Sequence, residues 1–412
     1  MTTGDGGKFF AIDRRTWGAV CDRGEMNPAV AYLVLAQGTG RSNRTTIWSV
    51  TSLKSSVGID WERGKRAIQK LVDEGFIRHG EKHTPQRPRY ELATWPEVLE
   101  RKRANLSEYD RLLMTDICDG RQPSRSSRKR LDEMAAEGLL VKVGGCYSVT
   151  APTRDGNAKD DPIWLPNSLV VGTDRGEESP VRRLRGSGNL WTLRLLVDLY
   201  HVQNLRADGG ISPHVLRYKY ERRQVGERGV FTAWAFMPER KSLSWTGPFE
   251  PHYYRQAEKD NHPVWENVEQ LERQGLLTFV PHLWESEQQD AEPIHAYGIE
   301  DIGGEPLEVE IGKAAHEAAL TVGLGPKIDT AAAAGYRYLA PVKNTLPNVQ
   351  MIGVARLRYR PHTKRTEHWW QELNESAETW LAAYRQLHVP AEQPRKVSNG
   401  NLAENTNEDI AF

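Results

Sequence analysis

Cysteine is scarce in this chain and follows no pattern. The 412 residues hold three, Cys21, Cys118 and Cys146. They are scattered and lack CxxC spacing, which leaves neither a zinc site nor a disulfide framework and fits a reducing, intracellular setting. An excess of charge of either sign is also missing: 55 Lys and Arg stand against 55 Asp and Glu. The chain is therefore no polycation, and any nucleic-acid site must be a local patch. No run approaches the roughly 18 apolar residues of a membrane span. The first eight residues are polar and glycine-rich, with no apolar signal stretch. A soluble, cytoplasmic protein without membrane contact is expected.

Catalytic motifs are missing too. There is no GxxxxGK[ST] phosphate loop, and Gly323-Leu324-Gly325-Pro326-Lys327 lacks both its spacing and its Ser or Thr. His316-Glu317 is not followed by a second histidine four residues on, and no GxSxG elbow occurs. His252-Tyr253-Tyr254 could offer a tyrosine nucleophile, but the paired histidines of a metal-assisted version are absent. No enzymatic activity, no cofactor and no metal are expected.

What the chain does have is a repeat. Ile68-x-x-Leu71-x-x-x-Gly75-Phe76-Ile77 recurs as Leu131-x-x-Met134-x-x-x-Gly138-Leu139-Leu140 and as Val268-x-x-Leu271-x-x-x-Gly275-Leu276-Leu277. In each copy two apolar residues three apart share one helical face. A glycine four residues later supplies the left-handed conformation that ends a helix, and two apolar residues then start a strand. Copies this far apart imply repeated domains rather than a solenoid. A helix, a glycine stop and a hairpin form the pattern with which a winged-helix domain closes its DNA-reading helix.

The segments around the first copy complete that pattern over residues 9–95. Asn27-Pro28 opens a helix with Ala29, Val30, Leu33, Val34 and Ala36 on its apolar face, and Gly38-Thr39-Gly40 ends it. Residues 45–48 read as extended. Ser49 caps a second helix that runs to Val57 and stops at Gly58, and Asp60 caps a third from Trp61 to Glu74. A hairpin follows, Phe76 to His83 and Tyr90 to Leu92, as the wing. With Gly64, Ile68 and Leu71 facing inward, Arg63, Lys65, Arg66, Gln69 and Lys70 can reach phosphates and base edges in a major groove. Lys82, His83, Arg87 and Arg89 would arm the wing. From residue 41 to 104 there are 14 basic and 8 acidic residues.

The block Asn27-Pro28-Ala29-Val30-Ala31-Tyr32-Leu33, then Gly40-Arg41-Ser42-Asn43-Arg44-Thr45-Thr46-Ile47-Trp48-Ser49, Gly58-Ile59 and Ala67-Ile68-x-x-Leu71 resembles the N-terminal winged-helix domain of proteins encoded by phages and conjugative elements. More loosely, it is similar to plasmid replication initiators and phage replisome organisers, which carry more than one winged helix. The resemblance covers less than a quarter of the chain. It implies a replication or transcription role on a mobile genetic element, which the residues themselves do not show.

A second, abbreviated winged helix is expected over residues 106–150. Ser107-Glu108-Tyr109-Asp110 resembles a capping box, and Leu112, Leu113 and Ile117 share a face. Pro123-Ser124 starts a helix bearing Arg125, Arg128, Lys129 and Arg130, and a hairpin turns at Gly144-Gly145. Residues 121–130 hold five basic residues and no acid, whose simplest use is phosphate contact. Too few residues lie between Cys118 and Ser124 for a full middle helix, so this winged helix is abbreviated or its middle helix is reduced to a turn.

Residues 151–187, rich in Pro, Gly and Asp, read as a linker. A third winged-helix-like domain is expected over 188–388. It has a helix through Leu190, Leu193, Leu196, Val197 and Tyr200, a second over 213–223, and an aromatic insertion over 225–254 that favours a packing interface. Its third helix, 264–274, exposes Glu266, Asn267, Glu269, Glu272 and Arg273. DNA would repel that face, so this copy packs on protein. Residues 285–310 carry nine acids and no Lys or Arg. Further on, residues 313–320 read as a short helix, and 336–342 and 350–359 as strands. Arg356, Arg358 and Arg360 on one strand face, with Lys364 and Arg365, would form a third basic patch. An amphipathic helix over 369–387 covers the third domain or pairs with another chain, and 389–412 form a disordered tail.

The fold expected is therefore mainly α with small β-hairpins (α+β): tandem winged helices in three copies, the second abbreviated and the third carrying an insertion. The function expected is sequence-specific binding of double-stranded DNA, as a replication initiator or transcriptional regulator. The alternative is a non-catalytic scaffold whose winged helices dock protein partners in a nucleoprotein assembly, with a homodimer or protein partner engaged through the C-terminal domain.

Overall fold

The three repeats close identically. In each, the amide after the glycine bonds back to the carbonyl five residues earlier: Phe76 to Leu71, Leu139 to Met134 and Leu276 to Leu271, all at 2.9 Å. The glycine amides bond to Val72, Ala135 and Glu272 at 3.0, 3.0 and 2.8 Å. Gly75, Gly138 and Gly275 have φ of 75°, 76° and 63°. This paired hydrogen-bond pattern with a left-handed residue satisfies carbonyls that a helix end leaves orphaned, and only glycine takes that conformation without cost.

The chain is described by a computed structural model over residues 8–121, 124–143, 145–149, 162–173, 176–205, 209–245, 263–288, 290–299, 304–360 and 367–388. It is a mixed α+β protein. Strand β1 (Phe9–Asp13) leads into α1 (Arg14–Cys21) and α2 (Met26–Gln37), then β2 (Thr45–Thr46), α3 (Val50–Val57), α4 (Trp61–Asp73), β3 (Ile77–His79) and β4 (Tyr90–Leu92). The last three strands form one antiparallel sheet in the order β2-β4-β3. Helix α5 (Trp95–Ala104) leads to a second group: α6 (Glu108–Cys118), a 3-10 turn (Arg125–Ser127), α7 (Arg128–Ala136) and the hairpin β5 (Leu140–Val143) with β6 (Cys146–Val149). The turn lies past the stretch between Cys118 and Ser124 and runs directly into α7.

Residues 162–187 are not a linker. β7 (Pro162–Pro166) pairs antiparallel with β1 over five residues, and its Ile163 and Leu165 are buried. Helices α8 (Ser168–Val171) and α9 (Pro180–Ser187) return the chain to the first unit. There Arg185 Nε donates to Val57 O at 3.0 Å, and its Nη2 to Gly58 O at 3.2 Å, capping the end of α3. The Pro, Gly and Asp content marked turns between short packed elements, not a free tether. Residues 151–161 lie outside the described residues.

The C-terminal half departs most from the expectation. Helix α10 (Leu190–Val202) is followed by β8 (Gln203–Asn204), β9 (Gly210–Ile211) and a long hairpin, β10 (Leu216–Arg228) with β11 (Phe231–Trp245). Residues 213–223 are thus mostly strand rather than helix, and 225–245 complete the hairpin instead of forming an insertion. Leu216, Tyr218 and Tyr220 alternate with Arg217, Lys219 and Glu221, a period-two signal that fits a strand. Phe249, Tyr253 and Tyr254 lie outside the described residues. Next come α11 (Pro263–Arg273), β12 (Leu277–Trp284), β13 (Pro293–Ala296), α12 (Pro306–Val322), α13 (Gly325–Ala333), β14 (Tyr338–Lys343), β15 (Gln350–Leu357) and α14 (Glu367–His388). The strands build one eight-stranded sheet, β13-β12-β15-β10-β11-β14, with β9 beside β15 and β8 beside β9. Small hairpins alone therefore misdescribe this half. Residues 389–412, read as a tail, are outside the described residues.

Two cores result. The larger runs unbroken from Phe10 and Ile12 through α2, α4, α5, Leu131 and Leu139 to α10, α11 and the Leu277, Phe279, Ala355 and Leu357 end of the large sheet. The other packs Ile311, Ala315 and Ala318 of α12 and Ala377, Leu381 and Tyr384 of α14 against Tyr220, Phe236, Leu283 and Met351. Helix α14 thus covers the large sheet of its own chain.

Candidate nucleic-acid interface

Helix α4 divides its residues cleanly. Gly64, Ala67, Ile68 and Leu71 are buried. A Cβ on Gly64 would come within 2.8 Å of Val50 Cγ1, so glycine lets α3 and α4 approach closely. Ser49 and Ser52 form a capping box at the start of α3, and Gly58, with φ 68°, ends it. The Arg63 amide donates to Asp60 Oδ1 at 2.9 Å, fixing the first turn of α4.

The outer face of α4 carries Arg63, Lys65, Arg66 and Gln69, all exposed. Their local partners are loose or on the same helix: Arg63 Nε lies 3.2 Å from Asp60, Lys65 Nζ 3.9 Å from Glu62, and Gln69 donates to Asp73 at 2.8 Å. Such exposed pairs contribute about 0–1 kcal/mol each, so phosphate can replace them. Lys70 is half-buried and pairs with Glu25 and Glu74, which sets it apart from the others. Trp61 was not anticipated. Seven residues before Ile68, it shares the apolar phase, yet it is 48% exposed. Lys65 Nζ sits 5.4 Å from its ring centroid.

The hairpin of β3 and β4 places Lys82, Arg87 and Arg89 in solvent. Its base is a ring cluster, with His83 4.0 Å from His79 and 5.1 Å from Tyr90. Burial, then the neighbouring His83, holds the His79 pKa below its ordinary value. Lys82 has φ 61°, a conformation that costs a residue with a Cβ about 1–2 kcal/mol.

On the second unit Arg125, Arg128 and Lys129 are exposed. Arg130 is committed elsewhere. Its Nε and Nη2 donate to both oxygens of Asp110 at 2.8 and 2.9 Å, and its Nη1 lies 3.2 Å from Glu133 and from Glu137. Those bonds hold the buried Asp110 carboxyl below its usual value. Arg130 therefore ties α7 to α6, and the expected basic row loses its last member. The sequence could not show this, because Asp110 lies 20 residues away.

The third copy turns a different surface. Asn267, expected on the outer face of α11, is buried, receiving Asn189 Nδ2 at 2.9 Å and Thr192 Oγ1 at 2.8 Å. The arginines at and just after the end of β15 make no basic patch. Arg356 is fully buried, Arg360 bonds Glu305 at 2.6 Å, and Arg358 faces Glu177 at 3.2 Å. Lys364 and Arg365 lie outside the described residues. The acidic stretch 285–310 supplies Glu308 to Arg356 and Glu305 to Arg360, which no reading of charge alone could pair.

Comparison with protein-family models, with curated proteins and with solved structures finds no match for this chain. Among the described residues, no helix is long and apolar enough to cross a membrane.

Proposed function

We propose that this chain binds double-stranded DNA sequence-specifically through tandem winged helices. In this reading α2–β2–α3–α4–β3–β4 is the first winged helix, α6, the 3-10 turn, α7 and β5–β6 the abbreviated second, and the third copy is a packing module built into the large sheet. The order helix, strand, helix, helix, strand, strand with a β2-β4-β3 sheet supports it. The observation that carries it is the outer face of α4, where Arg63, Lys65 and Arg66 stand exposed beside Gln69 over a fully apolar inner face. Arginine and glutamine suit bidentate contacts to guanine and adenine edges in the major groove. Lys82, Arg87 and Arg89 on the wing, and Arg125, Arg128 and Lys129 on the second unit, add phosphate contacts that set register without reading sequence. Arg130 and Lys70 belong to the scaffold. A non-catalytic role as replication initiator or transcriptional regulator of a mobile element, in the cytoplasm, is the biological form of this proposal.

Selection from random duplex DNA, followed by binding with Arg63→Glu and Arg66→Glu, tests it. Each reversal should weaken the selected site about tenfold or more and relax preference at the bases contacted. Equal weakening of every sequence would reduce α4 to a phosphate contact, and no enriched sequence would refute the proposal.

A further inference from the structure

We propose that α5 is a strut that locks α4 and α7 at one separation, so that this chain reads a single bipartite duplex element with one permitted spacing. The proposal rests on the DNA-binding reading above. Its support lies in what α5 touches. Arg101 Nη2 donates to Asp73 O at the C-terminus of α4. The next residue, Lys102, donates from Nζ to Glu137 O at the C-terminus of α7, at 3.1 Å. Two adjacent cations of one helix therefore cap the carbonyl ends of both reading helices, where the helix dipole favours positive charge. The same helix covers both repeat glycines. A Cβ on Gly75 would strike the Arg101 stem, and one on Gly138 would stand 2.7 Å from the Trp95 ring.

Helix α5 is itself fixed at its start. Thr94 and Glu97 form its capping box, and Glu97 also takes Arg44 at 2.9 Å and Arg78 at 3.3 Å from the small sheet. Trp95, Val98 and Leu99 are buried in the core that also holds Leu131, Met134 and Leu139 of the second unit. Between the units remains a crevice of about 400 Å³, whose lining includes the Arg23–Glu74 pair at 3.4 Å and the Arg130–Glu137 pair at 3.2 Å. A flexible tether would let each reading helix find its own subsite over a range of spacings. A helix of ten residues, about 15 Å long, packed against both units allows one.

Two measurements on the full chain test this. The first places spin labels at Lys65→Cys and Lys129→Cys, with Cys118→Ser and Cys146→Ser, and reads the distance distribution in free protein. A single narrow peak is expected, and a broad or two-peaked one overturns the strut whatever DNA does. The second inserts 1, 5 or 10 base pairs between the two halves of the selected duplex. At least a tenfold loss is expected at every insertion, the full helical turn included, with the Arg101→Ala/Lys102→Ala variant losing less. Full affinity at any insertion, or an enriched site too short for two subsites, overturns the bipartite element. A narrow peak without any enriched duplex would leave the strut standing and remove its DNA role.

Discussion

Arg356 shows how far a charge on this chain can be from the surface its sequence suggests. It is fully buried, donates to both oxygens of the equally buried Glu308 at 2.7 and 2.8 Å, and reaches Gly209 O at 2.6 Å and His282 Nε2 at 2.9 Å. His282 Nδ1 lies 2.8 Å from Val280 O, so the ring donates there and accepts from Arg356. Burial raises the Glu308 pKa, but the charge and hydrogen bonds of Arg356 outweigh it and hold the carboxyl below its usual value. Breaking such a pair strands a charge in the core, so Arg356→Met should cost about 3–5 kcal/mol in urea unfolding, and adding Glu308→Gln should return part of it. If Arg356→Met alone were neutral, the network would not be closed to water as described. Arg130 is the milder case. Its side chain is about a third exposed, and Arg130→Ala should cost roughly 1–2 kcal/mol by stranding Asp110, whereas Arg66→Ala should stay within about 0.5 kcal/mol of the unaltered protein.

At the scale of the element, the three glycine stops separate backbone cost from packing cost. All three have positive φ, so an alanine is strained at each. Of the three, Gly138 faces a rigid ring, Trp95 at 2.7 Å, whereas Gly75 faces the movable Arg101 stem and Gly275 meets, among the described residues, Arg358 Nη1 at 3.6 Å. Gly→Ala should therefore destabilise in the order Gly138, Gly75, Gly275, starting near 1 kcal/mol for the last and exceeding 2 kcal/mol for the first. Equal losses in thermal unfolding would show that φ alone matters. These stops were legible in the sequence because a helix end is local: an apolar pair, a spacing and a glycine suffice. The α3–α4 pair and both hairpins were legible for the same reason. Leu216 and Tyr220 of β10 also fit helical spacing, and what decides the matter is the pairing of this strand with β11 and β15. The pairing of β1 with β7 joins segments some 150 residues apart, and no local pattern announces it. The α4 face was found from its own periodicity, while Arg130, Trp61 and the α5 cations depend on neighbours that sequence does not place together.

For the whole molecule, buried imidazoles set the response to acid. Burial, and for His282 also the Arg356 charge, pushes the His282 pKa down to about 3 and that of His295 to about 4. His295 Nε2 meets Tyr384 Oη at 2.6 Å, joining the large sheet to α14. An unfolded chain protonates histidine near pH 6.5, so from there down to about pH 4 the unfolded state binds more protons than the folded one. Stability is then greatest above pH 6.5 and falls as pH drops, by roughly 2 kcal/mol per imidazole between pH 7 and pH 5. Urea midpoints at the two pH values measure it, and a flat response would mean that these rings are open to solvent. The same assembly joins an acidic C-terminal half, with 24 Lys and Arg against 30 Asp and Glu over residues 188–412, through one core to an N-terminal half with solvent-facing cations.

That asymmetry makes the central claim measurable by the salt dependence of binding to the selected duplex. Anisotropy titrations across a salt series should give a steep slope of log affinity against log salt, reduced by about one for each phosphate-contacting cation removed from Arg125, Arg128 or Lys129. Substituting the exposed Arg273 of α11 should leave the slope unchanged. A shallow slope, or one as sensitive to Arg273 as to Arg125, Arg128 and Lys129, would contradict DNA binding through the two N-terminal units.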